Sequence, residues 1–227
     1  MITVCDSIAA LFKEQYGVKV HVIRNIPPRK ALPPKGDKTA LGLPVDKHLL
    51  VLQGSGINIQ RGAEELVQAM QYLDDCFLMV IGGGDVLPLL KEMVAALSLD
   101  DRVLFLPRMP YAKMMAYTQL AELGFCLDKD TNLNYRFSLP NKLFDFIQAG
   151  VPIIASHLTE IERIITKYEL GLFIADHDPQ TIAATIREGL SDPERIARWK
   201  ENLALAAKDL CWENEEKKLL EIYQQYE

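Results

Sequence analysis

Short apolar runs recur along this chain at residues 18–23, 49–53, 77–81, 103–106, 123–127, 151–155 and 172–174. Amphipathic segments of helix length separate most of them, at 63–73, 86–97, 111–119, 158–167 and 179–190. This alternation restricts the fold more than any other feature. Strands joined through helices are parallel, and a parallel sheet needs helices on both of its faces. Several runs are continuously apolar instead of alternating with polar residues, as strands buried on both faces require. The expected architecture is α/β, a doubly wound parallel sheet. With 49% of its 227 residues hydrophobic, the chain has enough apolar surface for such a core.

The ends do not fit the alternation. Residues 7–16 read as a helix, Gly17 as its stop and 18–23 as a strand, followed by a stiff proline-rich segment at 25–36. One helix and one strand cannot form a domain alone. They are expected either to be the remnant of a preceding domain, with 1–38 as remnant plus linker, or to add an edge strand to the main sheet. The main domain is placed at 39–208. A carboxyl-terminal helix occupies 209–227, in a helical stretch running from about residue 193 to Tyr226 and broken near Cys211. Acidic residues after Trp212 suit a fresh helix start. Leu219, Leu220, Ile222 and Tyr223 give that helix an apolar stripe, which either covers the domain or reaches back to a missing one.

A net charge of −6 argues against an extended nucleic-acid surface while leaving room for a local anion site. Cys5, Cys76, Cys126 and Cys211 are isolated, and Cys76 and Cys126, beside or within apolar runs, read as buried thiols of a reduced protein. His21, His48, His157 and His177 show no metal-ligand spacing, so no metal site is expected. No apolar run is long enough to span a bilayer and no signal peptide is visible, which suggests a cytoplasmic chain.

In open α/β sheets ligands bind outside the carboxyl ends of the strands. The loop after 49–53 carries Gly54, Ser55 and Gly56 and then Arg61, whose guanidinium can fork onto a phosphate. A plain turn with a surface arginine fits equally. Gly82, Gly83 and Gly84 follow 77–81, and three consecutive glycines point to a tight backbone requirement. Arg108 and Met109 stand in a loop bracketed by Pro107 and Pro110, suited to border a planar base or to act as a short connector. A polar loop at 128–136 leads into residues 138–156, which read as loop, helix and buried strand. Pro140 suits the helix start, and Leu143, Phe144 and Ile147 recur at helical spacing. Gly150 suits the helix end. Lys142 falls in the first turn, where a cation opposes the helix macrodipole unless an anion is also there. Backbone N–H groups of that turn bind anions. Asp145 lies on roughly the same face and can accept hydrogen bonds from sugar hydroxyls. A solvated lysine and aspartate remain the alternative. Together these loops suit a ligand with phosphates and hydroxyls.

The order of these segments resembles the carboxyl-terminal, donor-binding domain of the retaining glycosyltransferases of family 4, the group 1 type with a GT-B fold. The family's Gly-Arg after the first strand and its following Lys-Gly are similar to Gly54-Ser55 and Arg61-Gly62. Its Val-Gly-x-Gly resembles residues 80–84, and its Arg-Val-x-Phe-x-Gly resembles 102–107. Its Pro-x-Lys-Leu-x-Glu-Tyr-x-x-x-Gly-x-Pro-Val-Ile-Ala is matched by 140–155, and its closing Trp-Glu by Trp212-Glu213.

The resemblance implies a Rossmann-like domain binding a UDP- or GDP-sugar for retaining transfer to an acceptor. Arg61 and Lys142 would stabilise the leaving phosphate. Asp145 would hold the ribose, the backbone at Ser138 and Leu139 would meet the phosphates, and that at Arg108 and Met109 would border the base. Gly54, Ser55, Gly83 and Asn141 complete the implied donor site. No cofactor is implied. The resemblance also implies an acceptor domain before residue 1, little activity without it, and peripheral membrane association for a full-length enzyme. Two family positions differ: a glutamate usual in the family falls on Phe137, and an arginine that usually neutralises the diphosphate falls on Ser55. A non-catalytic α/β binding module and a nucleotide-sugar 2-epimerase are the alternatives.

Overall fold

The computed structural model describes residues 1–29 and 32–225. Tyr226, the expected helix end, and two residues of the proline-rich segment lie outside them. Six parallel strands form the main sheet: β3 (His48–Gly54), β4 (Cys76–Gly82), β5 (Val103–Pro107), β6 (Leu123–Cys126), β7 (Ile153–Ala155) and β8 (Gly171–Phe173). Their order is β5-β4-β3-β6-β7-β8. The order reverses between β3 and β6, which opens a crevice at their carboxyl ends.

The apolar run in β3 shows why the sheet must be covered twice. Leu49 and Val51 join one buried cluster with Phe144 and Phe146 of α6 (Asn141–Ala149) and Leu203 of α9 (Pro193–Asp209). Leu50 and Leu52 join another with Leu66 of α2 (Ala63–Ala69), Leu90 of α3 (Leu87–Ala96) and Ile182 of α8 (Pro179–Leu190). Successive strand residues point to opposite faces, so a continuous apolar run feeds two cores. All four cysteines are buried and free. Among the described residues no helix is long and apolar enough to cross a membrane.

The amino-terminal segment forms its own unit. β1 (Ile2–Thr3) pairs in parallel with β2 (His21–Val22) across α1 (Asp6–Tyr16). Strand 18–23 therefore does not extend the main sheet, and its actual partner is too short to register as an apolar run. The unit packs on α7 (Thr159–Tyr168), where the Ser7 N–H donates to Glu160 Oε1 at 2.9 Å. The break at Cys211 is real, and α10 (Trp212–Gln224) turns back onto the segment. The Trp212 N–H donates to the Pro27 carbonyl at 3.0 Å, and the Arg24 N–H donates to the buried Glu215 carboxylate at 2.9 Å.

Candidate functional site

A cavity of about 360 Å³ lies at the β3/β6 switch point. One wall is the loop after β3, which supplies Gly54, Ser55 and Arg61; the other is the entry to α6, with Ser138, Leu139, Asn141 and Lys142. An adjoining hollow holds Asp145, Tyr111 and Asn25.

The β3 loop is set by backbone lying directly on backbone. The Gly83 N–H donates to the Gly54 carbonyl at 3.1 Å, and the Ile57 N–H donates to the Gly83 carbonyl at 2.9 Å. Gly82 has φ +133°, and a Cβ there would stand 1.9 Å from Gly54 O. The glycine triplet thus serves the neighbouring loop. Gly83 leaves room for the Arg108 guanidinium, which donates to the Ser55 carbonyl at 2.6 Å. Gly83, Arg108 and Met109 accordingly flank the cavity and do not line it, and Met109 packs against the core.

Helix α6 starts after Pro140, whose extended backbone makes it the N-cap, and stops at Gly150 in the left-handed region at φ +69°. Its Leu143, Phe144 and Ile147 are buried, as the spacing predicts. Gly124 of β6 lets this helix lie close, since a Cβ there would meet the Phe146 ring at 2.8 Å. Lys142 is thereby fixed at the cavity with a side chain only 10% exposed.

The anion that a first-turn lysine calls for is found within the chain. Asp128, immediately beyond β6 and fully buried, has Oδ1 3.3 Å from Arg61 Nη1 and Oδ2 3.8 Å from Lys142 Nζ. Tyr135, in the short helix α5 (Leu133–Arg136) of the polar loop, stacks under the Arg61 guanidinium at 4.8 Å. Two cations, one from the loop after β3 and one from the first turn of α6, thus face one cavity, with a shared carboxylate behind them.

Asp145 sits in a second network. It accepts from Gln53 Nε2 at 3.1 Å and from the Tyr111 hydroxyl at 3.0 Å. The Thr118 hydroxyl donates to Gln53 Oε1 at 2.7 Å, while the accepting Asp145 carboxylate sets which end of the amide faces it. Burial pushes the Asp145 carboxyl above the ordinary carboxylate range, while the Tyr111 and Gln53 hydrogen bonds pull it back. Burial, and then the Asp145 charge, raise the Tyr111 hydroxyl, which therefore stays a donor.

A carboxyl raised in the fold favours the folded state only while protonated, so its contribution is lost as pH rises through the raised value. Asp145→Asn removes that loss. The variant's melting midpoint relative to the parent is therefore expected to be higher at neutral pH than in acid below the ordinary carboxylate range. A difference in midpoint that does not change with pH would contradict this.

Sequence reasoning missed Gln53, Tyr111 and Asp128. Gln53 and Asp128 each mark the point where a buried apolar run meets a polar residue. That is the one signal that could have found them.

The parallel sheet and its switch-point cavity define a Rossmann-like α/β domain, with two cations facing the cleft. The chain belongs to the group 1 glycosyltransferases: the family model described as Glycosyl transferases group 1 matches residues 39–205. A D-inositol 3-phosphate glycosyltransferase of Xylanimonas cellulosilytica is 24% identical over 99% of this chain and 58% of its own length. A GDP-mannose-dependent alpha-(1-6)-phosphatidylinositol monomannoside mannosyltransferase of Mycolicibacterium smegmatis is 23% identical over 61% of this chain and 37% of its own. The chain spans 58%, 48% and 49% of three curated relatives, roughly half their length.

Among solved structures, sucrose-phosphate synthase from Thermosynechococcus elongatus superposes with TM-score 0.83 at 21% identity, over 99% of this chain and 57% of that one. Anabaena Alr3699/HepE in complex with UDP-glucose superposes with TM-score 0.82 at 15% identity, over 99% and 63%. These neighbours are GT-B glycosyltransferases with Rossmann-like domains, and the likeness shows the fold.

Proposed function

We propose that this chain is the donor-binding domain of a retaining glycosyltransferase that uses a UDP- or GDP-linked sugar. The carrying observation is the convergence of Arg61 and Lys142 on one cavity at the switch point, backed by buried Asp128. In this reading the diphosphate lies between the two cations, over the backbone amide at Leu139; the Ser138 N–H, expected to meet the phosphates as well, instead donates to the Tyr135 carbonyl at 3.1 Å. Asp145 accepts hydrogen bonds from ribose hydroxyls, and the Arg108–Met109 backbone borders the base. HepE has been solved with UDP-glucose, which supports a donor of this class.

Transfer breaks the bond between the anomeric carbon and the β-phosphate oxygen, and the electron pair stays on that oxygen. Donors fixed in advance at the place where charge develops lower the barrier, and this reading gives that role to Arg61 and Lys142. The proposal assigns this charge stabilisation to side chains and backbone amides, without a cofactor. It assigns acceptor recognition to surfaces other than this cavity. The chain alone is then expected to bind donor and to transfer little sugar.

Calorimetric titration of the folded chain with UDP, GDP and their sugar forms tests the reading. Saturable binding of at least one nucleoside diphosphate is expected. Binding of none, in a sample shown to be folded, would favour a non-catalytic module. Transfer by the chain alone at rates typical of intact enzymes would contradict the second part.

A further inference from the structure

We infer that Asp128 is a positioning residue, which holds Arg61 and Lys142 side by side so that both meet the donor's diphosphate. The inference rests on the donor-binding reading above.

Asp128 is fully buried at the carboxyl end of β6, a place that would exclude an unpaired carboxylate. A self-contained salt bridge satisfies its own donors and acceptors, ideally through two parallel bonds. This one does not. Arg61 contacts only Oδ1, and its own Nε is buried without a partner. Oδ2 is also buried without a hydrogen bond and faces Lys142 Nζ at 3.8 Å, beyond hydrogen-bond reach. The carboxylate therefore fixes where the cations stand while leaving most of their N–H groups unspent.

The surroundings supply the remaining restraint. Gly62, with φ +72°, packs so close to Leu127 that an added Cβ would stand 2.4 Å from the Leu127 carbonyl oxygen. That contact ties the residue after Arg61 to the residue before Asp128. Tyr135 closes the other side of the guanidinium. On α6, a first-turn lysine works against the helix dipole, and Asp128 offsets this. Without Asp128 the two like charges would share the cavity with nothing to hold them together.

The test compares Asp128→Asn with the parent, using whichever of UDP and GDP binds and the matching nucleoside without phosphates. A positioning role predicts that the diphosphate weakens about tenfold or more, while the nucleoside changes by less than about twofold. Equal losses for both ligands would mark Asp128 as merely structural. Unchanged diphosphate binding would overturn the inference, as would tighter binding, which would make Asp128 a competitor of the phosphates.

Should the single variant not fold, Lys142→Met is compared with Asp128→Asn/Lys142→Met, which removes one charge of each sign. The double variant is expected to bind the diphosphate more weakly than Lys142→Met, because Arg61 loses its anchor. Equal affinity would contradict the inference. A parent chain that binds no nucleoside diphosphate defeats the functional reading and this inference with it. A binding parent with an unmoved variant defeats the inference alone.

Discussion

Lys142→Met is expected to weaken nucleoside-diphosphate binding by about 2–3 kcal/mol, on the order of a hundredfold. Lys142 is only 10% exposed and stands at the amino-terminal turn of α6, so its attraction to a phosphate is little screened by water. Methionine keeps the apolar stem and removes only the charge. The matching nucleoside, which carries no phosphate, should bind as before, and calorimetry on the two ligands reads the difference directly. The fold should lose less than the ligand does, about 1–2 kcal/mol, because Asp128 keeps Arg61 as its partner. Equal weakening of nucleoside and diphosphate would mean that Lys142 holds the loop and not the phosphate.

Gly82→Ala is expected to be strongly destabilising, costing roughly 3–5 kcal/mol of stability. Two penalties coincide there. The backbone at φ +133° is one that residues with a Cβ rarely adopt, and the Cβ would stand 1.9 Å from the Gly54 carbonyl oxygen. Relief requires β3 and β4 to part where Gly83 N–H bonds Gly54 O, which moves Ser55 and the approach to Arg61. Nucleotide binding should therefore fall along with stability. Gly17→Ala is the internal comparison. Gly17 also has positive φ, +64°, but nothing lies within 4 Å of its would-be Cβ, so only the conformational cost of about 1 kcal/mol applies. Denaturant midpoints of the two variants check the contrast, and similar losses at both positions would contradict it.

The parts of this molecule that were legible in its sequence are those determined by local pattern. Continuous apolar runs such as 49–53 announced strands buried on two faces, and Gly150 announced the end of α6. The order of loops along the chain, read with the parallel alternation, was enough to bring Arg61 and Lys142 to one edge. What escaped depends on partners distant in sequence. The glycines at 82–84 signalled a tight backbone, but nothing local says that the tightness comes from the loop at 54–57. Arg108 looked like part of a rigid loop at a base, and only the fold shows it latched to the Ser55 carbonyl. Asp128 opened what read only as a polar loop. Its burial follows from β6 being an interior strand whose end is covered by the α2 and α6 entries. The first-turn lysine implied an anion, yet the sequence could not tell an internal carboxylate from a ligand. The structure supplies the first, and the proposal adds the second.

That pairing of cations is also the place where the account can be tested most directly. Backbone amide resonances of the labelled chain would be followed while UDP, and then GDP, is titrated. The account predicts that one of them shifts amides concentrated at residues 54–61 and 138–145, with the shifts reduced in Lys142→Met. Shifts concentrated elsewhere, or none from either nucleotide in the folded chain, would contradict it.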